Sequence, residues 1–123
     1  MIGYVSVGSN DLPRAAAFYD ALLGAMGAGR AMDFGQFILW GKSPTEPMFA
    51  LCTPYDKQAA TVGNGVMVAL SAKDQADVDQ LYAKAMELGA QCEGKPGPRG
   101  ENFYAAYFRD LDGNKLNVFH FGP

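Results

Sequence analysis

YAAYFRDLDGNKLNVFHF, residues 104–121, sets two strand-like runs around the turn Asp110-Leu111-Asp112-Gly113-Asn114. The first run is rich in aromatic residues and the second alternates. Asp112-Gly113 supplies the left-handed backbone that a tight reversal needs and that glycine adopts at least cost. The stretch therefore reads as a β-hairpin.

Working back from it, residues 65–71 (GVMVALS) read as a strand and residues 74–88 as a helix. Val78, Leu81, Tyr82, Ala85 and Leu88 fall on the buried stripe of that helix, and Gly89 stops it. Residues 91–94 form a weak strand, and a Pro/Gly-rich loop, GKPGPRGEN, leads into the hairpin. The same order stands in the first half. Residues 2–8 alternate as a strand does; Ser9, Asn10 and Asp11 offer helix-capping oxygens, and Pro13 suits the first helical turn. Ala15, Phe18, Tyr19, Leu22, Leu23 and Met26 form one helical face, and Gly24 ends it. Three short strands follow, at 28–33, 37–41 and 48–53. Asp11 matches Asp74, Leu23-Gly24-Ala25 matches Leu88-Gly89-Ala90, and Tyr4 matches Met67, which together indicate a degenerate internal repeat. One α+β domain of two βαβββ modules is expected, at 1–53 and 65–123, joined by a polar, turn-rich linker at 54–64.

Composition narrows the function. The 123 residues suffice for a core without disulfides, and 49% of them are hydrophobic. Net charge is −3 and the ten Lys and Arg form no stripe, which argues against nucleic acid as a partner. No basic, apolar leader opens the chain and no apolar run is long enough for a membrane span, so a cytoplasmic location and no membrane partner are expected. Cys52 and Cys92 are far apart in a chain with a single histidine and are read as reduced, packed thiols.

GYVSVGSNDLPRAAAFYDALLGA, GNGVMVAL followed by a helix ending in ELGA, and YAAYFRDLDGNKLNVF occur in this order. The chain thereby resembles, over essentially its whole length, the vicinal oxygen chelate superfamily of glyoxalase I, extradiol dioxygenases and bleomycin resistance proteins. The resemblance implies paired βαβββ modules that enclose a cavity, commonly in a homodimer. In metal-using members it implies a divalent ion held by His, Glu or Gln from both modules. This sequence departs from that ligand pattern. Tyr4 stands at the usual first-strand ligand, Met67 at its counterpart and Asn117 at the usual Glu after the turn, while the remaining slot falls near Phe49. A phenol, a thioether and a neutral amide make a poor site for a hard or borderline cation.

The resulting expectation is a cavity lined by Tyr4, Trp40, Phe49, Met67, Asn117 and Phe119, with one of Tyr104 and Tyr107 facing it, that takes a small organic ligand and uses no metal cofactor. For Trp40, with Phe37 and Phe49 near it in the sequence, core packing is the default reading and stacking on a flat ligand the sharper alternative. No residue is assigned a catalytic role. A metal-dependent lyase or isomerase of the glyoxalase type, its ion held by an unorthodox set that includes Tyr4, Glu101 or Asn117, is the alternative. His120 shares its strand side with Leu116 and Val118 and should face the helix layer. Arg99, Glu101, Asn102, Tyr104, Tyr107 and Arg109 cluster beside the Pro/Gly loop, where they could clamp an anionic or planar ligand, or simply be solvated, with Arg109 pairing Asp110 or Asp112.

Overall fold

A computed structural model describes all residues from Met1 to Pro123. The chain divides into two units, Met1–Thr61 and Val62–Pro123, at a point inside the stretch read as a linker.

The first unit runs β1 (Tyr4–Gly8), α1 (Leu12–Gly24), β2 (Gly29–Asp33), β3 (Phe37–Gly41) and β4 (Met48–Cys52). Asp11 caps α1, its side chain accepting from the Arg14 backbone N–H at 3.2 Å, and Pro13 occupies the first turn. The sheet order is β1-β4-β3-β2, with β1 parallel to β4 and the other pairs antiparallel. Strand parity gives the sheet two different faces. Val5, Val7, Ile38, Trp40, Phe49 and Leu51 share the face against which α1 packs Phe18, Tyr19, Leu22 and Leu23. Tyr4, Ser6, Phe37, Leu39, Ala50 and Cys52 share the opposite, open face.

The second unit repeats the order: β5 (Val68–Ser71), α2 (Gln75–Glu87), β6 (Gln91–Pro98), β7 (Phe103–Arg109) and β8 (Lys115–Phe121). Its sheet is ordered β5-β8-β7-β6, with β5 parallel to β8. Asp74 caps α2 through the Asp77 backbone N–H at 2.8 Å. Val78, Leu81 and Ala85 of α2 and Ala106, Phe108, Leu116 and Val118 of the sheet are all buried. Each unit is thus a βαβββ module, and together they make the α+β fold read from the sequence.

Two element boundaries differ from the sequence reading by three residues or more. The second module's first strand begins at Val68, because Gly65 adopts a positive φ of 95° and a Gly63–Val66 turn occupies the residues before it. Met67 therefore precedes the strand. Conversely, β6 continues through the Pro/Gly stretch to Pro98, with register shifts after Cys92 and after Gly94. An edge strand tolerates such bulges and a proline, since one side of its ladder needs no donor.

The hairpin is held at its turn by Asp110. Its carboxylate accepts from the backbone N–H groups of Asp112 and Asn114, each at 2.9 Å, and from Asn114 Nδ2 at 3.0 Å, while Gly113 takes φ 90°. Asp110 is only 5% exposed, and these three donors satisfy a carboxylate that burial alone would penalise.

Candidate functional site: the open sheet faces

Helix packing covers one face of each sheet and leaves the other without a helix. In the first unit that face keeps Tyr4 57% exposed, with its ring edge-on to Phe37 at a centroid separation of 5.9 Å. The small residues Ser6 and Ala50 on the rung between them let two side chains from different strands meet. Beside Phe37 lies an open groove of about 670 Å³ bordered by Ser6, Gln36, Cys52, Thr53, Pro54, Tyr55 and Lys57. Burial pushes the Cys52 thiol above its ordinary pKa, against an opposing hydrogen bond with Ser6.

Trp40 and Phe49 belong elsewhere. Both lie on the helix-facing side, 1% and 5% exposed, with Tyr19 of α1 at centroid distances of 6.0 Å from Trp40 and 4.5 Å from Phe49. The expectation that they line the open face is corrected by parity: each sits one residue out of phase with Leu39 and Ala50, which do face that way. The Trp40 indole N–H donates to Asp20 Oδ1 at 2.9 Å, and Arg30 grips the same carboxylate with Nε at 2.9 Å and Nη2 at 2.8 Å. The Arg30 hydrogen bond, the larger cause, and that of Trp40 hold the Asp20 carboxyl below its usual value despite partial desolvation.

The open face of the second unit is built on three rungs. Ser71, Phe119 and Ala105 share one; Ala69, Asn117 and Tyr107 share the next; Lys115 and Arg109 share the third. Phe103 stacks on Phe119 at 5.5 Å and lies 6.3 Å from Phe121, extending the apolar end. Tyr107 is the tyrosine on this face. Tyr104 points the other way, its hydroxyl donating to Asp79 Oδ1 of α2 at 2.7 Å, and that hydrogen bond raises its pKa. The carboxylate of Asp79 leaves Tyr104 no part in the open face, contrary to its inclusion among the expected lining residues. His120 pairs across from Tyr104 on the helix-facing side, in the same phase as Leu116 and Val118.

Asn117 is the polar centre of this face. It is 2% exposed, and its Oδ1 is buried without a hydrogen-bond partner. An acceptor left unmatched in this way costs about 1–3 kcal/mol. Met67 lies near the third rung, 41% exposed, on an open groove of about 510 Å³ shared with Val62, Asn64, Val66, Arg109 and Lys115.

The cations around Tyr107 differ in their neutralisation. Arg109 pairs with Glu93 at 3.1 Å and donates to the Gly113 carbonyl at 3.1 Å. Arg99 reaches back over the sheet with its guanidinium 5.5 Å from the Tyr107 ring centroid, and it donates only to the backbone carbonyls of Lys95 and Pro98. Lys115 places its ammonium 5.7 Å from the same ring. Sequence reasoning grouped Arg99 and Tyr107 but passed over Lys115, whose signal was its strand parity with Asn117.

A divalent ion does not suit these donors. Nowhere does the chain gather three His, Cys, Asp or Glu side chains that could hold one. The polar groups described on the open faces are the phenols of Tyr4 and Tyr107, hydroxyls, the Cys52 thiol and the Asn117 amide, with cations beside the amide. Glu101, offered as an unorthodox ligand with Asn117, is exposed in the β6–β7 turn, several rungs along β7 from the Tyr107–Asn117 pair.

Two βαβββ units, each with one helix-covered and one open sheet face, define the class of fold. The model of the Glyoxalase/Bleomycin resistance protein/Dioxygenase superfamily matches residues 1–118, and the chain belongs to that family. Among solved structures, it is similar to a glyoxalase/bleomycin resistance protein from Albidiferax ferrireducens T118, with 37% identity, TM-score 0.90 and 99% of each chain covered. It is also similar to a hypothetical protein from S. aureus, with 25% identity and TM-score 0.74 over 98% of this chain and 92% of that one. A lactoylglutathione lyase from Agrobacterium tumefaciens shares the fold at 22% identity and TM-score 0.71, over 98% of this chain and 92% of the other. No curated protein matches the chain.

Proposed function

We propose that this family member binds a small organic molecule on its open sheet faces without using a metal, in the cytoplasm and as a homodimer. The observation that carries the reading is the aromatic character of surface that helix packing leaves bare: Tyr4 against Phe37 in one unit, Tyr107 and the stacked Phe103–Phe119 pair in the other. Rings held by a rigid sheet offer a flat ligand contact area with little ordering cost. The donor chemistry of these faces supports organic recognition over chelation, since no carboxylate or imidazole set converges there.

Two measurements test this. A thermal-shift screen of planar organic compounds should find guests that raise the melting temperature, because a ligand at a hundred times its Kd adds about 2.7 kcal/mol to stability. Tyr4→Ala or Phe37→Ala, on one face, and Tyr107→Ala, on the other, should weaken that effect according to where the guest sits. Elemental analysis of protein incubated with Ni²⁺, Mn²⁺, Zn²⁺ and Fe²⁺ should find substoichiometric metal. One tightly held ion per chain would overturn the metal-free reading and favour a metal-dependent lyase or isomerase.

A further inference from the structure

We infer that the open face of the second unit selects organic anions, with Arg99 and Lys115 as the anion-binding pair around Tyr107. The inference rests on the proposal that the protein binds a small organic molecule, and it names the chemical class of that molecule.

The geometry starts with two glycines. Gly94 and Gly97 lie on β6 opposite Tyr107 and Ala105, and both point their missing side chains toward the open face. A Cβ on Gly94 would come within 3.3 Å of Arg99 Nη2 and 3.2 Å of the Tyr107 ring, and one on Gly97 within 3.1 Å of Arg99 Nη1. The absence of side chains at these positions is what lets the Arg99 guanidinium lie back across the sheet and over Tyr107. Carbonyl oxygens of Lys95 and Pro98 fix it there while leaving its charge unneutralised. A guanidinium so held offers its remaining N–H groups in a planar fork that matches a carboxylate.

Lys115 supplies the second charge. It occupies the rung next to Asn117 and shares Tyr107 with Arg99, and its ammonium makes no ion pair. The neighbouring Arg109 shows what neutralisation on this face looks like, since Glu93 takes it up. Two cations without an acidic partner, at 5.5 and 5.7 Å from one ring centroid, make the surroundings of Tyr107 locally positive, and an anion held there gains their attraction. In a chain of net charge −3, such a local excess of positive charge is not a by-product of composition.

Asn117 gives the independent sign of a ligand. Its buried, unpartnered carbonyl lies on the Tyr107 rung, beside the small residue Ala69. A guest that carries a hydroxyl or amide donor next to its acidic group, and that displaces the cover over this rung, would satisfy it. The ligand read from the face is therefore a planar organic acid, its ring against Tyr107, its acidic group on Arg99 and Lys115 and a donor directed at Asn117.

A matched pair of fluorescent probes tests the charge. 2-Naphthoate and 2-naphthamide have the same ring system and differ in the charge of one substituent. By fluorescence anisotropy the acid should bind about tenfold more tightly than the amide, as expected when a charge-assisted contact is added. The double variant Arg99→Gln/Lys115→Gln should abolish that preference while leaving amide affinity in place. The preference should also fall as salt is raised from about 0.01 M to 1 M, where screening shortens from about 30 Å to 3 Å. Equal affinity for the two probes, or a preference that survives the double variant, would overturn the inference while leaving organic binding intact. Binding of neither probe would overturn the inference, and a thermal-shift screen without hits would then remove the broader proposal too.

Discussion

Asn117 and the two cysteines show how single residues report on what the open faces are for. Replacing Asn117 with leucine removes a buried acceptor that has no partner and substitutes a side chain of similar volume. Asn117→Leu should therefore stabilise the protein by about 1–2 kcal/mol, read as a higher urea midpoint at unchanged m-value, and should weaken binding of donor-bearing guests. A loss of stability on this substitution would mean that the amide is satisfied in solution and would remove it from the site. The thiols make a second comparison. Cys92 is exposed on β6, whereas Cys52 is partly buried and its thiol is pushed up by desolvation, which leaves less thiolate at neutral pH. Iodoacetamide should modify Cys92 well before Cys52, as peptide mapping over a time course would show. A saturating guest in the groove beside Phe37 should slow Cys52 further without changing Cys92.

At the scale of elements, one carboxylate joins three parts of the first unit. Asp20 on α1 accepts from Trp40 on β3 and from Arg30 on the edge strand β2, whose second pairing runs to Asp33 at 2.9 Å. Asp20→Ala leaves the indole N–H of a residue 1% exposed without its acceptor and should cost about 1–3 kcal/mol. Asp20→Asn keeps an acceptor and should cost less. The pH dependence has a definite sign. Asp20 has a depressed pKa in the fold, so its contribution is fully present above the unfolded carboxyl value of about 4 and is lost as pH falls through the lower folded value. Stability curves for the native protein and Asp20→Asn should run apart at neutral pH and converge in acid; parallel curves would exclude Asp20 as the linked group. That node also marks the limit of the sequence. Helical periodicity placed Phe18, Tyr19, Leu22 and Leu23 on the buried side of α1, and the Asp-Gly turn located the hairpin, because both signals are local. The phase of β3 and β4 was legible only to within a residue, and a one-residue slip exchanges the two faces of a strand, which is why Trp40 and Phe49 stood as candidates for both the core and the ligand-facing side. Tyr104 and Tyr107 could not be separated for a related reason: only the partner, Asp79 on α2, shows which of them faces the helix. The Pro/Gly stretch before the hairpin concealed a strand, since bulges on an edge hide the alternation by which strands are recognised.

For the whole molecule, the arrangement of bare aromatic surface bears on assembly. Large apolar side chains stay exposed in both units: Tyr4 at 57%, Phe34 at 69% and Tyr55 at 100% in the first, Val66 at 60% and Phe121 at 70% in the second. Phe34, Tyr55 and Val66 lie outside the strands, where scattered exposed apolar residues need no explanation, but Tyr4 and Phe121 stand on the open sheet faces, the kind of surface that a ligand or a second copy covers. No helix is long and apolar enough to cross a membrane, so a transmembrane helix is not what accounts for them. A homodimer of this 13.2 kDa chain should appear in light scattering as a species of twice that mass. If it forms by covering these faces, Tyr4→Lys or Phe121→Lys should shift the population toward monomer while far-ultraviolet circular dichroism stays unchanged, since neither residue belongs to the buried core. A monomer at every concentration up to the solubility limit would reject the dimer and leave these rings to the ligand alone. In that case a saturating organic guest should by itself reduce binding of a hydrophobic dye, and the two explanations for the same exposed surface separate on whether mass or dye binding responds.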